Sequence, residues 1–190
     1  MDFVTSTAYF PPLAWFRAGA QGQWKIEAHE NYQKGDWRNR CRIATANGPL
    51  LLTVPLEGGK HRRMPIREVR ISYRNDWWRQ HEQSIRSAYG KAPFYEHFAE
   101  ELFAVARRRP VTLWELNQSL IGVCCELLQL EVPKLTDRFS GPPSPFPPDS
   151  YRDPAQASLP YPQVFSDRHG FLADLSVLDG LFCLGPAAVL

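Results

Sequence analysis

TSTAYFPPLAWFRAGAQGQWKIE, residues 5–27, reads as strand, helix, strand. Residues 5–10 are β-branched, small or aromatic and stop at Pro11 and Pro12. Proline is well tolerated at the first turn of a helix, where its missing N–H would have had no partner. Residues 13–20, LAWFRAGA, are therefore expected as a short helix, with Gly22 marking a turn and residues 24–27 a second strand. Strand, Pro-started helix and strand open a βαβ unit, so the sequence predicts a mixed α/β fold that begins with a β-rich sheet.

Downstream, residues 40–44 and 50–54 flank Asn47-Gly48, a strong short hairpin signal, although Pro49 argues for a turn longer than two residues. EGGKHRRM, 57–64, is a basic loop, and IREVRIS, 66–72, is expected as a half-buried strand. Three helices are then expected. The first spans 76–89, with Asp76 as N-cap and Trp78, His81, Ile85 and Ala88 on one face. The second starts at Pro93 and carries Phe94, Phe98, Leu102 and Val105 on one side. The third follows Thr112, which forms a capping box with Glu115. Residues 139–160 lie in a stretch whose proline content forbids regular structure, so they are expected as a loop or insert. Residues 161–190 are expected to dock back on the body, which makes 1–190 a single domain.

The totals narrow the function classes. Hydrophobic residues make up 44% of the 190 and charged residues 22%, which excludes wholesale disorder. No run of about 18 apolar residues occurs, so no membrane span is expected. The N-terminus lacks the basic and apolar regions of a signal peptide. Four cysteines, Cys41, Cys124, Cys125 and Cys183, show no zinc-ligand spacing and fit a reducing compartment. The expected location is the cytoplasm. The net charge of +2 is unevenly spread: residues 34–91 carry 13 basic and 5 acidic side chains, a net of +8. An anionic partner for that segment is one reading and a solvated basic face is the other.

No P-loop, GxGxxG, HExxH or GxSxG occurs, so these signatures of nucleotide, zincin and α/β-hydrolase chemistry are absent. The densest polar stretch is HENYQKGDWRNRCR, 29–42. In extended chain, Arg38, Arg40 and Arg42 share one face. Their guanidinium forks suit phosphate or carboxylate, with Lys34 and Asn39 beside them and Tyr32 and Trp37 as stacking surfaces. His29 is a candidate general base with Glu30 as its partner. Cys41 alternates with the arginines and is expected as a buried thiol rather than a nucleophile. His81, with Ser84 and Gln80, either lines a pocket or is a satisfied core histidine. Lys91, just before a Pro-started helix, is a candidate anion contact. Gln163, Arg168 and His169 in the tail either close over a ligand or simply dock. No metal site is expected, and no cofactor is named.

Several of these stretches, in this order, resemble the WbqC-like family: FPPLAWF (10–16), HENYQKGDWRNRCRI (29–43), NGPLLLTVPL (47–56), WWRQHEQSIRSAYGKAPFYEHF (77–98) and YPQVFSDRHGFLADLSVLDGLFCLGP (161–186). Related members take their family name from O-antigen gene clusters. The resemblance implies bacterial surface-polysaccharide precursor chemistry, with acylation or aminoacylation of an amino sugar carried on a nucleotide. Some members read FLDDVQ where this chain has IEAHENYQ, so a role for His29 and Glu30 rests on their chemistry alone. Two classes of function follow. One is a small transferase whose ligand is an anionic small molecule, a nucleotide sugar or acyl donor. The other is a non-catalytic module that binds an anionic metabolite or a protein partner. RNA binding through the same basic face ranks below both.

Overall fold

The computed structural model describes residues 3–22, 24–58, 64–143 and 160–190. The opening reading holds. Strand β1 (Phe3–Thr5), helix α1 (Leu13–Ala20) and strand β2 (Trp24–Ile26) form a βαβ unit, with β1 and β2 parallel and Thr5 opposite Ile26. A short strand, β5 (Lys134–Leu135), joins the other edge of β2 in parallel, giving the order β1-β2-β5. Leu13, Ala14, Trp15, Phe16 and Ala18 of α1 are buried. Gly19 is required because the Trp24 ring lies against it, and a Cβ there would run into that ring.

The first strand is shorter and earlier than its composition predicts. Residues 6–10 are fully enclosed but irregular, and their polar groups are spent on partners elsewhere. Tyr9 N–H donates to the Trp37 carbonyl, and Phe10 takes a positive φ of 40°. Burial and aromatic content here marked interior chain, not sheet.

Strands β3 (Arg40–Thr45) and β4 (Gly48–Thr53) form the expected antiparallel hairpin. Thr45 pairs with Gly48, so the turn is the two residues Ala46 and Asn47, shorter than Pro49 suggested. Gly48 supplies a φ of 106°. Proline fits because the pair next to the closing one, Ala44–Pro49, points its N–H positions away from the partner strand. Ala44 N–H donates instead to the Tyr89 hydroxyl at 3.0 Å.

The expected strand at 66–72 is not one. Residues Ile66–Glu68 form a 3-10 turn, and only isolated bridges follow, Leu56 with Ile71 and Arg70 with Thr112. Ile66, Val69 and Ile71 are the buried positions. Their spacing of three and then two fits a tight turn followed by extended chain.

Three helices follow as expected: α2 (Trp77–Tyr89), α3 (Tyr95–Arg107) and α4 (Leu113–Leu127). Asp76 caps α2 by accepting the Arg79 N–H, and Thr112 and Glu115 form the full capping box of α4. Helix α2 packs on β3, and α3 on α4. The tail holds a short α5 (Ser166–His169) and α6 (Val177–Leu184), the latter running into a 3-10 turn, Gly185–Val189. Helix α6 packs on α1, α3 and β3. Gln163 and Tyr161 are tied to the buried Asp179, with Tyr161 Oη donating at 2.6 Å and Gln163 Nε2 at 3.0 Å. Burial raises the Asp179 carboxyl, while the Tyr161, Tyr89 and Gln163 donors pull it down. Most of the Pro-rich insert and the centre of the basic EGGKHRRM loop lie outside the described residues. Among the described residues no helix is long and apolar enough to cross a membrane.

Candidate functional site at the ends of the parallel strands

The three parallel strands end together, and ligands of α/β sheets sit beyond such carboxyl ends. Here the residues that follow them are polar and interlocked. Glu27, fully buried just past β2, accepts four hydrogen bonds. They come from His29 N–H at 2.9 Å, Thr136 Oγ1 at 2.8 Å, Ser140 N–H at 3.0 Å and Ser140 Oγ at 2.8 Å. Burial pushes this carboxyl up, but the four donors outweigh it and hold it below the ordinary value. Glu27 therefore fastens the segment after β5 to the end of β2.

A second buried carboxylate, Glu30, lies beside it. Ser6 Oγ donates to Glu30 Oε2 at 3.2 Å, Arg38 Nε donates to Oε1 at 3.1 Å, and Arg38 Nη2 closes the fork on Oε2. Arg38 also donates to Ser6 Oγ at 2.6 Å and pairs through Nη1 with Asp36. Asp36 in turn caps the 3-10 turn Trp37–Asn39 by accepting Arg38 N–H. Burial raises the Glu30 carboxyl, against the pull of Arg38 and Ser6. Asn117 of α4 donates to the Arg38 carbonyl at 2.8 Å, while its own Oδ1 is buried and unpartnered. Gln118 donates to Thr7 Oγ1 at 3.1 Å.

Against this cluster lies a cleft of about 320 Å³, lined by His29, Glu30, Asn31, Gln33, Phe139 and Pro142 among others. His29 is exposed there, with Nε2 at 3.1 Å from the Thr136 carbonyl. A carbonyl can only accept, so in the neutral ring Nε2 carries the proton and Nδ1 is left as the basic nitrogen.

The structure redistributes the residues singled out from sequence. His29 and Glu30 are neighbours, but their side chains diverge: one meets Thr136, the other Arg38 and Ser6. Arg38 lies in the 3-10 turn, not on the strand, so the expected row of three arginines reduces to Arg40 and Arg42 on β3. Arg38 is 4% exposed and already faces two carboxylates, which leaves it no charge to offer a phosphate. Arg40 is half-buried with Nε unpartnered, and Lys34 is exposed in the preceding turn. Tyr32 is buried with its hydroxyl on Asn39 Oδ1 at 3.1 Å, and Asn39 Nδ2 donates to the Val54 carbonyl at 2.9 Å. Neither presents a surface for stacking; Trp37 is half-buried. Cys41 is fully buried on β3, where burial pushes the thiol up, as its alternation implied.

His81 proves to be a satisfied core histidine. Its Nδ1 is 3.0 Å from the Tyr9 hydroxyl and the ring also bonds the Thr53 backbone. Burial lowers its pKa to about 4, so it is neutral near pH 7. Lys91 is exposed in the turn between α2 and α3, and it does not line the cleft at His29. Among the described residues no three His, Cys, Asp or Glu side chains converge as a metal site. Sequence reading missed Ser6, Glu27, Asn117, Thr136 and Ser140. Only Glu27 carried a signal, as the acidic last residue of a predicted strand.

A family model described as the WbqC-like protein family matches residues 7–140. The chain belongs to the WbqC-like family. In this WbqC-like chain the matched region holds nearly the whole polar cluster, from Thr7 to Ser140. The chain is also 32% identical over 98 residues to "Uncharacterized protein Rv1507c" of Mycobacterium tuberculosis. That alignment covers 51% of this chain and 42% of the relative, so the chain spans less than half of that protein. No solved structure matches it.

Proposed function

We propose that this WbqC-like protein is a small transferase of bacterial surface-polysaccharide precursor assembly. It acylates or aminoacylates an amino sugar carried on a nucleotide, in the cleft at the ends of β1, β2 and β5. What supports this is one arrangement. His29 faces open space with Nε2 directed at the Thr136 carbonyl and Nδ1 free to take a proton. In acyl transfer, the amine of the sugar attacks the acyl carbonyl, the bond from that carbonyl to the donor breaks, and the proton that the amine loses passes through His29 Nδ1 to the departing thiolate or alkoxide of the donor. Glu27 positions His29 by accepting its backbone N–H, and Glu30 holds Arg38 and so the floor of the cleft. Lys34, in the turn that follows Gln33 of the cleft wall, meets the phosphates.

A thermal-shift screen with nucleotides, nucleotide sugars and acyl-CoAs should yield a stabilising ligand, because binding to the folded state raises stability by mass action. With that ligand pair, His29→Gln should cut turnover by about 100-fold or more, the usual weight of a general base. Lys34→Ala should instead weaken binding by about tenfold. If no member of the panel binds, the proposal fails. If ligands bind but turnover is absent and His29→Gln binds equally well, the cleft is a metabolite-binding site without catalysis.

A further inference from the structure

We propose a second binding site, for an uncharged saccharide unit, in the cleft between α2, the β3–β4 turn and the segment at Phe165. The cleft measures about 670 Å³, large enough for one or two sugar rings. None of the residues lining it is charged, in a chain with 22% charged residues.

That neutrality follows from how α2 divides its surface. Trp77, Trp78, His81, Ile85, Ala88 and Tyr89 are buried. At 100° per residue, Arg79, Glu82 and Arg86 form one outer stripe, and Glu82 pairs there with Arg86 and with Arg107 of α3. Gln80, Gln83, Ser84 and Ser87 form a separate stripe, and all four line the cleft. A helix face that only met solvent would have no reason to segregate its charges from its amides and hydroxyls.

Most of the hydrogen-bonding capacity of this stripe is unspent. Among the described residues, the side chains of Gln80, Gln83, Ser87 and Asn47 make no hydrogen bond within the chain. Ser84 Oγ donates to the Gln80 carbonyl at 2.9 Å and keeps its lone pairs. Amides paired with hydroxyls match the vicinal donors and acceptors of a sugar. Pro49, Leu50 and the Phe165 ring supply the apolar surface that the C–H face of a sugar ring meets. A phosphate or carboxylate would find no cation in the lining. The walls are held in place: His169 Nε2 lies 3.1 Å from the Thr45 carbonyl and 3.2 Å from that of Ala46, which fastens α5 to the hairpin turn.

This site does not depend on the His29 reading. The His29 cluster adjoins the Arg40 end of β3 and the neutral cleft adjoins its Thr45 end. A six-residue strand puts these ends about 17 Å apart.

Saturation-transfer NMR on the full chain tests it, with glucose, N-acetylglucosamine, cellobiose and chitobiose as probes and glucuronic acid as the charged comparison. At least one neutral sugar should receive transfer, and more strongly than glucuronic acid. The double variant Gln83→Ala, Ser87→Ala should weaken that sugar about tenfold, since two neutral hydrogen bonds are lost. Its thermal midpoint should stay unchanged, both residues being exposed. His29→Gln should leave sugar binding intact. No transfer from any neutral sugar would overturn the proposal, as would transfer that survives the double variant. Transfer abolished by His29→Gln would assign the sugar to the other cleft and overturn it as well.

Discussion

Arg38 shows how one residue's role depends on what surrounds it. It stands in a run of cations, yet it is enclosed by Glu30, Asp36 and Ser6. Removing one member of a buried pair leaves the other charge uncompensated, at about 3–5 kcal/mol. Arg38→Ala should therefore lower the thermal midpoint by roughly 10 °C in a chain of this length, measured by calorimetry. A change of less than about 2 °C would show that Glu30 finds solvent or another partner. His81 supports a prediction about pH. Its folded pKa, near 4, is below the ordinary 6.5. Between those values the unfolded chain binds the proton and the folded chain does not, so stability falls as pH drops from 6.5 to 4. The span corresponds to about 3 kcal/mol. In His81→Gln, denaturant titrations at pH 4.5 and 7 should lose most of that difference; an unaltered difference would place the pH dependence on other groups. Cation runs and lone histidines are legible as residues, but whether a charge is free or already paired depends on contacts such as Arg38 with Ser6, 32 positions away.

Elements with local signals formed where the sequence placed them, and those without did not. The capping box of α4 needs only Thr112 and Glu115, three residues apart, and both of its bonds are present. Thr112→Ala should cost about 1 kcal/mol, a fall of about 2–4 °C in the thermal midpoint. Thr112→Ser should recover most of it, because the hydroxyl is kept. Equal losses in the two variants would mean that the Thr112 methyl group, not the cap, stabilises the helix. The hairpin was legible for the same reason, through Gly48 at a position of positive φ. Residues 66–72 were not, because extended chain becomes sheet only where a neighbouring strand offers its ladder. Here only single bridges to Leu56 and Thr112 are available.

At the scale of the whole molecule, the Pro-rich stretch divides into two parts. Ser140 bonds Glu27, while Phe139, Pro142 and Pro143 line the His29 cleft, so residues 139–143 belong to the body. Replacing residues 144–159 with a Gly/Ser bridge should leave thermal unfolding cooperative, with a midpoint within about 3 °C of the parent. Extending the deletion back to 139 should lower it further, because Glu27 then loses two of its four donors and is left buried. A single shared midpoint for both deletions would remove Ser140 from any structural role. The sequence by itself determined the parts whose causes are local: the βαβ opening, the two-stranded hairpin, three helices of which two are capped by side chains, the buried Cys41 and the family. Only the tertiary structure decided which polar residues form the site. Ser6, Glu27, Thr136 and Ser140 meet because three parallel strands, two near residue 3 and residue 24 and one near residue 134, end side by side. Parallel pairing joins residues more than a hundred positions apart, such as Ile26 with Leu135, and no pattern within either segment encodes that neighbour.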